Sequence, residues 1–237
     1  GDYIYFCDSD DILHQDILEV LVRDIEDKKV DVSCCAYQCF TKDIFWQDSK
    51  ENSAEVIMGM DMFYNVLKNP SCSGYVWNKL FKKNIIEQKE PLRFSERITI
   101  VEDEQFVLEY ICRSKNMSLS GKKMYAYRNN ENGAIQKNFT ERKLTCIWGR
   151  EDVWQICNEK ECDDKILEIA WNKLMQVYVY AYRNIIYHNI PNKQYWKNIV
   201  KKKFFLYVSL PYKIDETWNW KPKMIYYFMK YCLKDKN

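Results

Sequence analysis

The order of apolar and polar positions predicts alternating strands and helices in the first part of the chain. Residues 3–7 form an uninterrupted apolar run of strand length, which is typical of a strand buried on both faces between helices. Residues 17–25 repeat apolar side chains at helical spacing, and the β-branched, cysteine-rich residues 30–40 predict the next strand. The pattern therefore predicts a strand–helix–strand unit, the beginning of an α/β domain.

Helical and weakly alternating segments continue along the chain. The spacing predicts a helix over residues 60–67, another beginning at Asp103, and an edge strand or two over residues 117–127. Beyond these the spacing is helical throughout, which predicts four helices, over residues 141–158, 163–188, 192–208 and 221–233. We therefore divide the chain into an α/β domain, residues 1–137, and an all-α domain, residues 138–237.

Charge separates the same two parts. The 237 residues carry a net charge of +2, yet residues 1–137 hold 18 basic and 23 acidic residues, while residues 138–237 hold 18 basic and 11 acidic. The high aromatic content, 16%, excludes a disordered chain, and no apolar run reaches the ~20 residues of a membrane span. The asymmetry indicates two units with different roles.

The ten cysteines lie mostly inside apolar runs. Because the first residues contain neither the basic nor the apolar region of a secretory signal, we expect reduced and buried thiols. Cys35 and Cys39 have no second pair at zinc-finger distance, and the chain has two histidines, which argues against a structural zinc site. The sequence also begins without Met, as a piece of a longer chain would.

The first candidate for chemistry is the acidic run Asp8-Ser9-Asp10-Asp11, which directly follows the first predicted strand. Open α/β sheets bind ligands just beyond the carboxyl ends of their strands. In an extended chain Asp8 and Asp10 project to the same side, and Mg²⁺ commonly takes one or two carboxylates together with substrate phosphates. The alternative is an acidic turn that caps the following helix.

The second candidate is Glu102-Asp103-Glu104, at the start of a predicted helix. Three acids at this position are favoured by the helix dipole alone. The functional alternative is a general base, a carboxylate that takes a proton from an attacking hydroxyl group. The triplet by itself leaves both interpretations open.

Several segments, in order along the chain, resemble family 2 glycosyltransferases. They are GDYIYFCDSDDILHQDILEVL, VDVSCCAY, YVWNKLFKKNII, RFSERITIVEDEQFVLEY and YAYRNNENGAI, and they cover roughly residues 1–136. The resemblance implies a GT-A fold, a Rossmann-like mixed sheet with flanking helices. It also implies an inverting enzyme that uses a nucleotide-diphospho-sugar donor.

The resemblance implies roles for the acidic residues. Asp8 and Asp10 match the Asp-x-Asp pair, which binds Mn²⁺ or Mg²⁺ and the donor, with Asp10 as the main metal ligand. Asp103 matches the catalytic base, and Glu102 is its neighbour. Arg128 matches a late Tyr-Arg segment that reaches the diphosphate of the donor.

The same resemblance gives Trp77, Asn78 and Lys79 a place near the sugar and the acceptor. For Trp77 a core position is equally typical of an aromatic residue in this pattern. Ala134 departs from the family, in which a Ser is common at that point of the segment.

The front of the chain differs from the family pattern. The resemblance implies roughly ninety further residues ahead of this start, which hold the first strands and the acids for the nucleotide base and ribose. We therefore expect an N-terminally incomplete GT-A-like domain that is not a competent enzyme alone. We also expect Tyr3 to Cys7 to form an unpaired apolar edge.

The function expected from these features is metal-dependent, inverting transfer of a sugar to a glycan or lipid-linked cell-envelope acceptor, with no nucleic-acid partner. The expected location is the cytoplasm, with peripheral contact at the inner face of the cell membrane. One alternative is a non-catalytic remnant of such an enzyme. Another is a module that binds an anionic membrane surface, because residues 191–237 hold 11 Lys, 3 acids and 12 aromatic residues.

Overall fold

The chain folds into two compact units. The computed structural model describes residues 1–46, 54–129 and 139–233. One unit comprises residues 1–95 and 102–137, and the other comprises residues 96–101 and 138–237. The boundary between residues 137 and 138 coincides with the one that we drew from the sequence. The two divisions differ in the short segment 96–101, which the structure groups with the helical unit.

The first unit is built on a mixed sheet. Its strands among the described residues are β1 (Tyr3–Tyr5), β2 (Ile12–Leu13), β3 (Val32–Phe40), β4 (Glu55–Met58), β5 (Lys79–Lys82) and β6 (Asn116–Arg128). The order across the sheet is β1-β5-β3-β6-β2, and β4 also pairs with β6. Strands β3 and β6 are parallel, whereas the other pairs are antiparallel.

Helices flank this sheet. They are α1 (Ile17–Lys28), α2 (Met60–Lys68), α3 (Lys83–Ile86) and α4 (Glu102–Ile111). Helix α1 buries Ile17, Leu21 and Ile25 in the core beside residues of the sheet, and each such side chain contributes about 1.5–3 kcal/mol by its burial. The predicted α/β fold class with a mixed sheet is confirmed.

Strand β6 corrects the prediction of an edge strand. It has 13 residues and lies inside the sheet, with β3 parallel to it and β2 and β4 antiparallel. Its alternation is weak because buried serines stand where apolar residues are expected, and the Ser118 hydroxyl bonds the Ser33 hydroxyl of β3 at 2.9 Å. A register shift against β3 around Ala36 further breaks the pattern.

Strand β1 is shorter than the predicted run and is half-buried instead of buried on both faces. It pairs antiparallel with β5, with Ile4 opposite Phe81. In the part of the sheet that the structure describes it is the last strand on its side. The acidic run begins a few residues beyond it.

The second unit is helical, as predicted. A 3₁₀ turn (Glu141–Thr145) leads into α5 (Cys146–Glu159), α6 (Asp164–Tyr187), α7 (Lys193–Tyr207) and α8 (Trp220–Cys232). Aromatic side chains form much of its core, among them Trp171, Tyr178, Phe204 and Tyr226. No helix in the described ranges is both long enough and apolar enough to cross a membrane.

The ten cysteines carry free thiols. Six of them are buried, namely Cys34, Cys35, Cys72, Cys146, Cys157 and Cys162. Burial raises the pKa of the Cys35 thiol to about 12, which keeps it protonated at neutral pH. The Cys35 thiol therefore acts as a small apolar side chain in the core.

Candidate active site

The acidic loop after β1 is fixed by Asp11. The Asp11 carboxylate accepts one hydrogen bond from the Tyr125 hydroxyl at 2.5 Å and another from the Arg128 amide at 2.7 Å. The Asp8 amide donates to the same tyrosine hydroxyl at 3.4 Å. Asp8 and Asp10 are exposed, and within the described chain neither carboxylate has a hydrogen bond or ion pair. The loop is therefore held in place while its two predicted ligands stay open.

The acidic loop does not cap helix α1. That helix begins at Ile17, and strand β2 lies between it and the loop. The cap residue of α1 is Asp16, whose side chain makes no capping hydrogen bond. The capping interpretation of the acidic run is therefore wrong.

Arg128 extends from β6 to the acidic loop. Its Nε donates to the Asp10 carbonyl oxygen at 2.7 Å, and its guanidinium lies 4.4 Å from the centre of the Phe40 ring. A cation is thus held beside the open carboxylates. Contact of Arg128 with a donor diphosphate stays a prediction, which this position favours.

Helix α4 carries Asp103 in its first turn, where the side chain is partly buried. Burial first, and then the negative charges of Glu102 and Asp8, together raise the pKa of the Asp103 carboxyl to about 7, although a hydrogen bond from the Val76 amide opposes the shift. A general base works best with a pKa near the operating pH. Because the charge of Asp8 contributes to this shift, the two acidic clusters of the sequence lie near each other in the fold.

The acidic loop itself is electrostatically strained. Partial desolvation of the carboxyl by the surrounding chain raises the pKa of Asp8, and the neighbouring charges of Asp11 and Asp10 add to the effect. The described residues hold no group of three or more His, Cys, Asp or Glu side chains placed for a metal ion. Two carboxylates suit Mg²⁺ or Mn²⁺ when donor phosphates supply further oxygen ligands.

A buried lysine holds the turn that leads to Val76. The Lys79 ammonium donates to the carbonyl oxygens of Cys72, Ser73 and Tyr75 at 2.6, 2.8 and 2.7 Å, and to Asn78 Oδ1 at 2.9 Å. A fully buried ammonium is tolerated because oxygen atoms surround it. The turn is thereby made rigid next to Asp103.

Asn78 fastens the same turn to strand β3. Its amide group donates to the carbonyl oxygens of Cys35 at 2.8 Å and Ser71 at 3.0 Å, and its own carbonyl accepts from the Cys35 amide. Asn78 and Lys79 are both fully buried. Their placement supports a structural role under the site, and direct contact with a sugar gains no support from it.

Trp77 is 4% exposed and lies in the core, which was the alternative to a place near the sugar. Its ring stacks on Tyr75 at 4.6 Å and on Tyr125 at 4.4 Å, and its carbonyl accepts from the Tyr5 hydroxyl at 2.6 Å. Because Tyr125 also bonds Asp11, this aromatic stack supports the acidic loop from behind. Trp77 is a positioning residue in this geometry.

Gly74 is a site residue that the sequence analysis missed. A Cβ atom at this position would lie 2.4 Å from Glu104 Cβ and 2.6 Å from Glu104 Cα. The turn therefore packs directly on the first turn of α4, next to Asp103. A signal was present in the sequence, since glycine is scarce in this chain.

We expect Gly74→Ala to lower the free energy of unfolding by about 1–3 kcal/mol, because the added methyl group displaces the backbone of α4. Thermal unfolding followed by circular dichroism measures the change. Gly121→Ala is the matched control, since a Cβ at Gly121 has no atom within 4 Å. Equal destabilisation by both substitutions would contradict the close packing inferred at Gly74.

We expect Asp103→Asn to stabilise the fold at alkaline pH. The carboxyl pKa rises from 3.8 to about 7 on folding, so its contribution to stability is fully present below pH 3.8 and is lost as the pH rises through 7. Asparagine has no such loss. Calorimetry should show a Tm advantage of about 2–4 °C at pH 8.5, equivalent to about 1 kcal/mol, which shrinks at pH 5. A Tm difference between variant and wild type that is the same at pH 8.5 and at pH 5 would contradict the raised pKa.

Comparison with known proteins identifies the first part of the chain. Residues 1–88 match the model of Glycosyl transferase family 2. These residues are similar to the family 2 glycosyltransferase domain. The match includes β1, the acidic loop and the buried turn before β5, so the predicted family is confirmed.

Two relatives that are similar to this chain are named as glycosyltransferases. Glycosyltransferase GlyA of Streptococcus pneumoniae serotype 4 is 27% identical over 155 residues, which are 62% of this chain and 22% of the relative. The poly(ribitol-phosphate) beta-N-acetylglucosaminyltransferase TarP of Staphylococcus aureus is 31% identical over 128 residues, 50% of this chain and 35% of TarP. The chain thus spans only a minor part of the length of these relatives.

A solved structure shows the same fold. The S. aureus TarS fragment 1-349, in complex with UDP-GlcNAc, aligns with a TM-score of 0.55 at 14% identity, over 87% of this chain and 58% of that fragment. Together with the mixed sheet and the family match, this similarity confirms the predicted GT-A-like fold. The end of the resembling sequence, including Ala134, lies outside the described residues.

Proposed function

We propose that the protein transfers a sugar from a nucleotide-diphospho-sugar to a hydroxyl group of a glycan or lipid-linked cell-envelope acceptor. The observation that supports this most is the proximity of Asp8 to Asp103, whose pKa it raises. The first belongs to the open carboxylates of the acidic loop, and the second has the raised pKa of a base. Donor activation and acceptor activation require two such groups within one site.

In the proposed reaction Asp103 takes the proton of the acceptor hydroxyl. The hydroxyl oxygen forms a bond to the anomeric carbon while the bond from that carbon to the diphosphate breaks. The bonding electrons leave with the diphosphate. Because this is one displacement, the configuration at the anomeric carbon inverts, and no covalent nucleophile is needed.

The departing diphosphate carries negative charge that Mn²⁺ or Mg²⁺, held by Asp10 and Asp8, would neutralise. Arg128 supplies a fixed positive charge on the same side of the loop, because its Nε is bonded to the Asp10 carbonyl. The Asp11 bonds to β6 keep the loop from moving as charge develops.

We propose UDP-GlcNAc as the donor to test first. TarP is named as a beta-N-acetylglucosaminyltransferase, and the solved TarS fragment is in complex with UDP-GlcNAc. Both support a uridine nucleotide and an N-acetylhexosamine over other donors. The name of TarP, a poly(ribitol-phosphate) beta-N-acetylglucosaminyltransferase, supports a polyol-phosphate polymer as the first acceptor to test.

The test is release of UDP from UDP-GlcNAc by the full-length protein, measured with Mn²⁺ and again with a chelator. We expect slow release that requires the metal and increases with an added polyol-phosphate acceptor. Absence of metal-dependent binding and release with several uridine and guanosine diphospho-sugars would instead support the non-catalytic remnant. The alanine variant of Asp103 controls for contaminating enzymes.

A further inference from the structure

We propose that the helical unit docks on anionic membrane lipids through a groove that lies along α6 and α8. The groove has a volume of about 670 Å³, and its lining includes Val179 and Tyr180 of α6 and Met224 and Ile225 of α8. These side chains give it a largely apolar wall. The proposal concerns the second unit alone and does not depend on the proposed transferase activity.

The polar part of the groove is basic. Arg183 of α6 and Lys221 of α8 both line it, and the described lining contains no Asp or Glu. The Lys221 ammonium lies 5.5 Å from the centre of the Trp220 ring. A positive rim above an apolar wall suits an amphiphile with an anionic head, such as a phospholipid.

The beginning of α8 strengthens the positive charge of the groove. Its cap residue Asn219 makes no side-chain capping bond, and its first turn contains no acidic residue. The first amides of a helix lack intrahelical acceptors, and their end of the helix dipole is positive. Lys221 and Lys223 add like charge at this end, so a headgroup phosphate is favoured there.

Trp218, another lining residue, has an unsatisfied donor. The side chain is 6% exposed, and its indole N–H has no hydrogen-bond partner within the described chain. A buried N–H without an acceptor is unfavourable, and an incoming phosphate or ester oxygen would supply the acceptor. This donor is independent of the charges and is a second feature of the groove that favours a ligand with an oxygen acceptor.

The outer face of α8 extends the surface beyond the groove. Five large side chains at helical spacing are between 45% and 68% exposed, namely Trp220, Met224, Tyr227, Phe228 and Tyr231. From the same helix only Tyr226 and Met229 are buried. Aromatic residues beside lysines are typical of the headgroup level of a bilayer, which favours a lipid surface over a small soluble anion.

The experiment is co-sedimentation of the full chain with vesicles of phosphatidylcholine, with and without phosphatidylglycerol. We expect binding to the anionic vesicles alone, weakened by salt because the attraction is screened. The double variant Arg183→Glu/Lys221→Glu should reduce the partition coefficient at least about fivefold per charge. Trp220→Ala/Met224→Ala should reduce it as well, with the salt dependence retained.

Matched controls lie on α7. Lys202→Glu and Leu206→Ala change an exposed charge and an exposed apolar side chain outside the groove, and circular dichroism establishes that each variant is folded. Equal binding to both vesicle types, or equal losses in the α7 controls, would overturn the proposal. Trp218→Phe removes only the indole N–H, and about a fivefold loss is expected if that group bonds a headgroup.

Two further measurements distinguish a lipid in the groove from free phosphate and from a second copy of the chain. Displacement from the vesicles by inorganic phosphate, but not by chloride at equal ionic strength, would show a site for free phosphate and contradict a lipid dock. Light scattering of the protein alone tests a second copy as occupant. A dimer that Trp220→Ala/Met224→Ala dissociates, without vesicle binding by the monomer, would also overturn the proposal.

Discussion

Asp103→Asn is expected to lower the rate of sugar transfer by about 10²–10⁴-fold, the usual loss when a general base is removed. The substitution keeps the shape of the side chain and an oxygen that can accept the Val76 hydrogen bond. Donor binding should change little, because the predicted donor ligands are Asp8 and Asp10. Steady-state kinetics and calorimetric titration of the donor, on the full-length protein, measure the two quantities separately.

The pH dependence of the same reaction gives an independent check. Because burial and neighbouring charges raise the Asp103 pKa to about 7, the wild-type rate should fall as the pH drops through 7. The rate of Asp103→Asn should not show this fall. Glu102→Gln removes one charge that raises the Asp103 pKa, so in this variant the fall in rate should occur at a lower pH. Equal losses of rate and donor affinity in Asp103→Asn would mean that Asp103 binds the donor or supports the fold.

The first unit shows which parts of a fold a sequence pattern reaches. Helix α1 was predictable because Ile17, Leu21 and Ile25 recur on one face and are buried together. The central position of β6 was not, because its buried Ser118 bonds Ser33 in place of apolar packing. A periodic pattern of apolar residues reveals the buried face of a helix or strand. Two buried polar side chains that hydrogen-bond to each other inside a sheet leave no such pattern.

The candidate site shows the same limit. Asp8, Asp10 and Asp103 could be singled out because carboxylates at those points have a recognisable chemistry. The role of Asp11 depends on Tyr125, more than a hundred residues away, and nothing local distinguishes it from its neighbours. Long-range hydrogen bonds decide which acid of the run is structural.

Lys79 shows a different limit. The resemblance implied a place near the sugar and the acceptor for it, and burial of a lysine is rarely expected. Here the carbonyl oxygens of a tight turn surround the ammonium group. The sequence carries no sign that a turn seven residues upstream will supply these acceptors, because turn geometry is set only when Gly74 packs on α4.

Asp10→Asn is expected to abolish metal-dependent donor binding. A neutral amide is a much weaker ligand of Mg²⁺ or Mn²⁺ than a carboxylate. The fold should survive, because the Asp10 side chain is exposed and, among the described residues, hydrogen bonding engages its backbone carbonyl, through Arg128, and not its carboxylate. Calorimetric titration with UDP-GlcNAc in the presence and absence of Mn²⁺ measures the effect.

Two neighbouring acids make this result interpretable. Asp2→Asn neutralises an exposed carboxylate outside the loop and should leave binding unchanged. Asp11→Asn replaces one of the two acceptor oxygens by an amide nitrogen, so one of the two hydrogen bonds is lost, and it should lower the free energy of unfolding by about 1–3 kcal/mol, so that any loss of binding comes with a lower Tm. Only Asp10→Asn should lose the metal-dependent part of binding at unchanged Tm. Mn²⁺-dependent binding that persists in Asp10→Asn would move the metal to other ligands and leave Asp10 as a loop residue.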